Sequence, residues 1–429
     1  MTQRPSRHPH PAARGLATAS VAAMALLALA ACGSSESTDS SDSSDSTGSA
    51  SASAANASSA GSGAAQVNVT MVSGSDGDEC QADTTSAAAG PVTFHVTNQS
   101  ATGITEFELL SGQRIVGEKE NLAPGLPEVS FTVTLGGGDY ELYCPNAATE
   151  KQAFTVTGEA SANPTGGPTA LLAQGVKDYT DYVNVQIESM VTGVENLQKA
   201  IDSGNLSDAQ TAYAEARPFY EKIESDVDGF LLPGADPTQN KGNLDYLIDM
   251  RASNLDPKVG WTGFHAVERD IFGREKITAT TKKYAANLTK NVKELAKIGK
   301  KLTFKPEDLA NGAAGLLEEV QANKITGEEE AYSHIDLVDF AGNVEGAEQA
   351  FVALQPGLAK IDADLTKTIA KRFAAVDKLL ESYKDSQALG GYQRYTAAVK
   401  KADANTLSQT VQALQEPLSR LAEKVATAG

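Results

Sequence analysis

The segment Trp261-Thr262-Gly263-Phe264-His265-Ala266-Val267-Glu268 holds an imidazole and a carboxylate three residues apart. On a helix, positions i and i+3 share a face, so His265 and Glu268 are placed to offer a nitrogen and an oxygen to one cation. A surface hydrogen-bonded pair uses the same spacing, so the motif gains weight only from its neighbours. Upstream, Arg217-Pro218-Phe219-Tyr220-Glu221-Lys222-Ile223-Glu224 repeats the spacing with two carboxylates, and Tyr246-Leu247-Ile248-Asp249-Met250-Arg251 adds Asp249. Downstream, Thr326-Gly327 leads into Glu328, Glu329 and Glu330, followed by Tyr332, His334 and Asp336. Several carboxylates with at most one imidazole and no thiolate suit hard or borderline cations, ferric iron above all. Such carboxylates repel one another unless a cation or protons neutralise them. Their pKa values are therefore expected to rise in an empty site, and metal binding to release protons. Taken alone, Glu328 to Glu330 also read as the acidic first turn of a helix, which the macrodipole favours. Trp261 and Tyr220 flank these motifs and read as core aromatics.

The elements that must position these groups divide into unlike stretches. The chain has 429 residues, enough for two or three domains. Its 36 Lys plus Arg against 55 Asp plus Glu give a net charge of −19, which repels phosphate backbones and excludes a nucleic-acid partner. Only Cys32, Cys80 and Cys144 occur, too few for a disulfide framework or a four-thiolate zinc site. Residues 1–31 read as a secretion leader: Arg4, Arg7 and Arg14 precede an apolar run that ends Leu29-Ala30-Ala31-Cys32. That ending resembles the lipobox of bacterial lipoproteins, which implies a lipidated Cys32 at the mature N-terminus and anchorage on the outer face of the cell membrane. Residues 32–66, rich in serine, alanine and glycine with almost nothing to bury, read as a flexible linker. Across 67–157, apolar residues alternate in Val67 to Val72, Val92 to Val96, Phe131 to Leu135, Tyr140 to Tyr143 and Phe154 to Val156. Gly and Pro turns separate these runs, which predicts a small β-sandwich. Residues 158–170 read as a hinge. From 171 to 429 apolar residues recur at helical spacing, as in Val176, Tyr179, Val183 and Ile187, predicting seven to nine helices.

The ordered motifs from Arg217 to Glu224, from Trp261 to Glu268 and from Thr326 to Leu337 together resemble the imelysin family, also called peptidase M75. With the leader and a β domain before the helices, the arrangement is similar to the extracytoplasmic iron-uptake members of that family. The resemblance implies a cupredoxin-like β-sandwich followed by an all-α domain of two four-helix bundles. It also implies a metal site on Glu221, Glu224, Asp249, His265 and Glu268, with a further carboxylate from Glu328, Glu329 or Glu330; Glu329 and Glu330 are carried as candidates. The implied cargo is ferrous or ferric iron, and the implied partners are a membrane iron permease and a haem-dependent peroxidase.

The β domain resembles the family's through Thr97 to Ser100, Glu106 with Glu108, Glu118 to Gly125, and Gly138 to Cys144. Cys80 and Cys144 read either as a disulfide or as ligands to copper or zinc beside Glu106, Glu118, Glu120 and Asp139. A blue-copper centre needs two His and a Cys, and this stretch offers His95 alone, which reads as a packed or surface residue. The alternative function, a metallopeptidase as the family label suggests, meets a similar shortfall. Zinc peptidases of the HExxH type place two His one turn apart with a Glu base, whereas residues 262–272 contain one His.

Overall fold

The computed structural model describes residues 63–112, 114–159, 166–227 and 229–428. The expected leader with Cys32, most of the linker and the middle of the hinge lie outside the described residues.

The strands are β1 (Ala65–Gly74), β2 (Gly77–Ala82), β3 (Ser86–Ala88), β4 (Gly90–Asn98), β5 (Phe107–Ser111), β6 (Arg114–Lys119), β7 (Val129–Leu135), β8 (Gly138–Tyr143) and β9 (Lys151–Thr157). They form a four-stranded sheet, β2-β1-β4-β7, and a five-stranded sheet, β3-β9-β8-β5-β6. Alternation along β1 buries Val67, Val69 and Met71, and these meet Phe94 and Phe131 of their own sheet and Phe107, Leu109 and Phe154 of the other. The Phe94 and Phe131 rings stack with centroids 5.2 Å apart. A disulfide between Cys80 on β2 and Cys144 just after β8 joins the two sheets. β1 begins at Ala65, so the last two residues of the expected linker are strand.

The helices are α1 (Gly167–Ser203), α2 (Leu206–Glu221), α3 (Glu224–Val227), α4 (Leu244–Asp249), α5 (Gly263–Glu268), α6 (Ala279–Gly299), α7 (Pro306–Glu319), α8 (Asp336–Ile361), α9 (Ala363–Glu381), α10 (Ala397–Leu418) and α11 (Leu421–Ala426). They outnumber the expected seven to nine because short helices at the site, α3 to α5, lack the length to show a period. The stripe Tyr179, Val183, Ile187, Met190, Val194, Leu197 and Ile201 buries one face of α1 against α2, α6 and α8. α1 opens with Pro168 in its first turn, so the end of the expected hinge is already helical. Asn205 caps α2 by accepting from the Asp208 amide, and Thr278 and Thr281 cap α6 reciprocally. The β layer docks on α7. The Asn311 side chain donates to the Thr132 carbonyl at 2.6 Å and accepts from its amide at 3.2 Å, and Lys119 pairs with Glu318 at 2.8 Å. No described helix is long and apolar enough to cross a membrane.

Candidate metal centre

The acidic motifs converge where helices end. Glu221 closes α2, Glu224 opens α3, Asp249 closes α4, and His265 and Glu268 lie on α5. Glu329 and Glu330 come from the turn before α8, and Asp336 and Asp339 from its first turn. Two π-helical turns border the cluster, Arg269–Gly273 directly after Glu268 and Val320–Lys324 ending on Lys324. Such wide turns re-aim side chains at the expense of regular hydrogen bonding and recur at functional sites. Gly263 starts α5 with φ +70°, and a Cβ there would stand 2.2 Å from the Ile248 carbonyl oxygen. Only glycine lets α5 lie against the end of α4, which brings His265 to Asp249. A Cβ on Gly346 would stand 2.1 Å from the Lys222 carbonyl, so glycine also sets the close approach of α8 to the end of α2.

Glu221, His265, Glu268, Glu329 and Glu330 are at most 2 % exposed, and Glu224 and Asp249 at most 5 %. His265 Nδ1 lies 3.1 Å from Glu268, while its Nε2 lies 3.2 Å from Glu329 and 3.5 Å from Asp249. The other Glu268 oxygen accepts the backbone N–H groups of Tyr332 at 2.8 Å and Ser333 at 2.7 Å, which ties the Glu329–Glu330 turn to α5. Glu330 accepts from Tyr213 Oη at 2.8 Å and from Ser333. Glu328 instead turns outward to Ser253. Of the three consecutive glutamates, then, the second and third face the cluster.

Spacing gave no sign of the cations that share this site. Arg217, fully buried, contacts Glu221 and Asp249, and lies 3.3 Å from Glu329, 3.2 Å from Glu330 and 3.1 Å from Asp339. The Lys324 ammonium sits 3.2 Å from both Glu221 and Glu224, 3.3 Å from Glu329 and 3.8 Å from Glu319. Arg251 reaches Glu319 at 2.9 Å and Glu329 at 3.3 Å. Burying this many charges is tolerable only because opposite signs interleave.

The electrostatic consequences are uneven. Burial pushes Glu221 up to about 8 despite the pull of Arg217 and Lys324, and it carries Glu224 and Glu330 well above the usual carboxylate range. Glu329 departs from the expected general rise. Burial works upward on it too, but Lys324, Arg251 and His265 together hold it well below that range. Burial disfavours a charged His265, yet Asp249, Glu268 and Glu329 pull it well above the ordinary imidazole range.

Three donor sets each fall within 4.8 Å of one another: Asp249, His265 and Glu329; His265, Glu268 and Glu330; and Glu221, Glu329 and Asp339. Oxygens on opposite sides of an ion bonded at about 2.1 Å stand about 4.2 Å apart, so donor atoms gathered within these limits are near enough to share one ion. Asp249 Oδ2 and Asp339 Oδ1 are buried without a hydrogen-bond partner among the described residues, leaving acceptor capacity that a cation would fill. The donor chemistry therefore fits an oxygen-preferring ion, provided that His265 gives up a proton when its nitrogen is used.

In the β layer, Glu106, Glu108 and Glu118 gather within 4.8 Å, and the register sets Glu108 directly opposite Glu118. Like charges facing across a ladder are destabilising, so this pair is held by protons or by a cation. Burial with the neighbouring Glu106 pushes Glu108 to about 10, and burial with Glu120 raises Glu118 well above the carboxylate range. Three expected members of the set are not available to it. Cys80 and Cys144 are bonded to each other, so neither offers a thiolate to a metal. Asp139 stands exposed at the start of β8, four residues before the Tyr143 that pairs with Glu108. His95 is held by Glu128 at 2.8 Å and Gln66 at 2.6 Å, away from these carboxylates. Tyr220 is buried against Asp245, and the Arg269 guanidinium lies 4.0 Å from the centre of the Trp261 ring.

The imelysin (peptidase M75) family model matches residues 175–421, which contain every helical residue of this centre. The chain is 34% identical over 361 residues to "Iron uptake system component EfeO" of Escherichia coli strain K12, covering 83% of this chain and 90% of that protein. The proteins of the same description from Shigella flexneri and from Escherichia coli O1:K1 match over the same shares at the same identity. A family match over more than half of the sequence, with relatives aligned along most of both chains, places the molecule: it belongs to the imelysin family and resembles its EfeO-type members.

Proposed function

We propose that this protein is an extracytoplasmic iron-binding protein, anchored by a lipidated Cys32 on the outer face of the cell membrane. It captures ferrous or ferric iron and delivers it to a membrane permease, with a haem-dependent peroxidase as a further partner in an EfeUOB-type uptake system. In this reading the β layer is cupredoxin-like, the helical part comprises two four-helix bundles, and the Glu106, Glu108 and Glu118 group is a second metal site. The observation that carries the reading is the buried convergence of Asp249, His265 and Glu329 within 4.8 Å, with Asp249 Oδ2 unpartnered. An arriving iron ion takes over part of the charge that Lys324 and Arg217 now balance, and protons leave Glu221, Glu224 and Glu330. Calorimetric titration of the mature protein with iron tests this. Glu221→Ala combined with Glu224→Ala should cut affinity sharply while leaving helicity intact, and unchanged affinity would remove both as ligands.

The peptidase alternative would use Glu268 as a general base on a metal-bound water. Here one Glu268 oxygen already accepts two backbone amides and the other faces His265, so the carboxylate serves as a brace. Metal-dependent casein cleavage that is abolished by Glu268→Ala would reverse this ranking.

A further inference from the structure

The cations inside the buried centre are not equivalent. Arg217 is pinned, because its planar guanidinium spreads its donors over Glu221, Asp249, Glu329, Glu330 and Asp339. Lys324 is held differently. Its ammonium, a compact charge on a flexible stem, lies 3.2 Å from Glu221, 3.2 Å from Glu224 and 3.3 Å from Glu329, which come from separate stretches of the chain. The Glu221 oxygen that faces it, Oε2, has no hydrogen-bond partner among the described residues, so charge alone joins the two. An ammonium set among these carboxylate oxygens stands where a bound metal ion would stand. A further acceptor is close by. Glu319 lies 3.8 Å from the ammonium and borders a cleft of about 450 Å³ between the β layer and α7. A short swing of the lysine stem reaches it, so the ammonium can leave the centre without becoming an unpaired buried charge.

Charge and distance decide which ions displace it. Coulomb attraction scales as charge over separation, so a metal ion bonded to oxygen at about 2.1 Å gains, per unit charge, roughly 1.5 times what the ammonium gains at 3.2 Å. Removing the ammonium therefore cancels about two-thirds of what a monovalent ion would gain from these carboxylates. For a divalent ion the loss is about one-third, and for a trivalent ion about one-fifth. The resident lysine weighs most heavily against the ions of lowest charge.

We propose that Lys324 is the residue that sets charge selectivity at the buried centre. Its ammonium occupies the empty centre, keeps monovalent cations out, and yields to a di- or trivalent ion by moving onto Glu319. Glu319 is then the carboxylate that receives the lysine. The proposal rests on the reading of the buried centre as the iron site.

Manganese(II), titrated into the mature protein and into Lys324→Met, tests this in sodium chloride and in tetramethylammonium chloride at equal ionic strength. The parent should bind manganese equally in both salts. In tetramethylammonium, too bulky to enter, the variant should bind it about tenfold more tightly than the parent, because no resident charge has to be displaced. In sodium, which enters the place the lysine has left, most of that gain should vanish. Sodium should also raise the melting temperature of the metal-free variant relative to tetramethylammonium, and leave that of the parent unchanged. A lysine that only props the fold gives weaker manganese binding with no distinction between the salts, and that result overturns the proposal. Diffraction at the manganese edge from the loaded parent needs no variant. It should show the Lys324 ammonium against Glu319 and out of reach of Glu221, and manganese in the centre with Lys324 still between Glu221 and Glu224 overturns the proposal as well. Failure of the iron reading shows separately, as iron affinity that ignores His265→Gln and Glu330→Gln.

Discussion

Arg217→Met is the perturbation that most sharply probes how the buried cluster is held. Methionine roughly preserves the unbranched stem but removes the guanidinium that touches Glu221, Asp249, Glu329, Glu330 and Asp339. None of these carboxylates can turn to water, because each is at least nine-tenths buried. Removing one partner of a buried ion pair costs about 3–5 kcal/mol, chiefly through the charge left behind. At about 2–4 °C per kcal/mol for a domain of this size, the metal-free variant should melt roughly 6–20 °C below the parent near neutral pH. Acidification should narrow the gap, since protonated carboxylates no longer need the guanidinium. Thermal denaturation followed by helical circular dichroism, at neutral and at mildly acidic pH, reads both effects. A variant as stable as the parent at neutral pH, or a deficit that stays constant on acidification, would refute the reasoning that Arg217 is the principal internal counter-ion.

The remaining predictions concern pH, backbone and disulfide. Burial lifts Glu221 and Asp336 to about 8, above their unfolded values. Their stabilising contribution is thus complete below the unfolded carboxylate range and is lost as pH rises toward 8. Metal-free protein should lose stability over that window, less steeply in Glu221→Gln, and equal slopes would contradict the assignment. The same raised groups make metal affinity climb from about pH 6 to 8 with proton release, measurable by titration in buffers of different ionisation enthalpy. Gly263→Ala places a methyl 2.2 Å from the Ile248 carbonyl at φ +70°. The left-handed conformation alone costs about 1–2 kcal/mol, so both melting temperature and metal affinity should fall; no change in either would show that α5 is free to shift. Replacing Cys80 and Cys144 by serine opens a 64-residue separation, worth about 4 kcal/mol in chain entropy. Limited proteolysis should then cut the β layer while the helical signal persists, and equal resistance would count against a stabilising disulfide.

Long amphipathic helices were legible because their stripes repeat many times, as along α1 from Tyr179 to Ile201. The strands β1, β4, β7, β8 and β9 showed through their alternation. β5 did not, because Glu108 is buried between Phe107 and Leu109, so that the period of two disappears where a charged group is turned inward. The polar β2 and the glycine-containing β6 gave equally little to read. Among the candidate ligands, His265 with Glu268 and Glu221 with Glu224 could be picked out by spacing, since each pair is local. Arg217 and Lys324 could not, because a lysine or arginine in a helix is ordinarily solvated and only tertiary convergence reveals one at 0 % exposure. Asp339 had a faint signal, lying three residues after Asp336 on the same helical face. The pairing of Cys80 with Cys144 rested on proximity across two sheets that no local pattern encodes.

The central claim is that iron is held by side chains drawn from four separate chain segments. Diffraction at the iron absorption edge from crystals of the iron-loaded protein tests it most directly. The account predicts an anomalous peak within bonding distance of Asp249 and Glu329 and next to His265, with Lys324 moved away from their shared carboxylates. Stoichiometric iron in the crystal with its peak outside this cluster, and with Lys324 and Arg217 still seated among the acids, would contradict it.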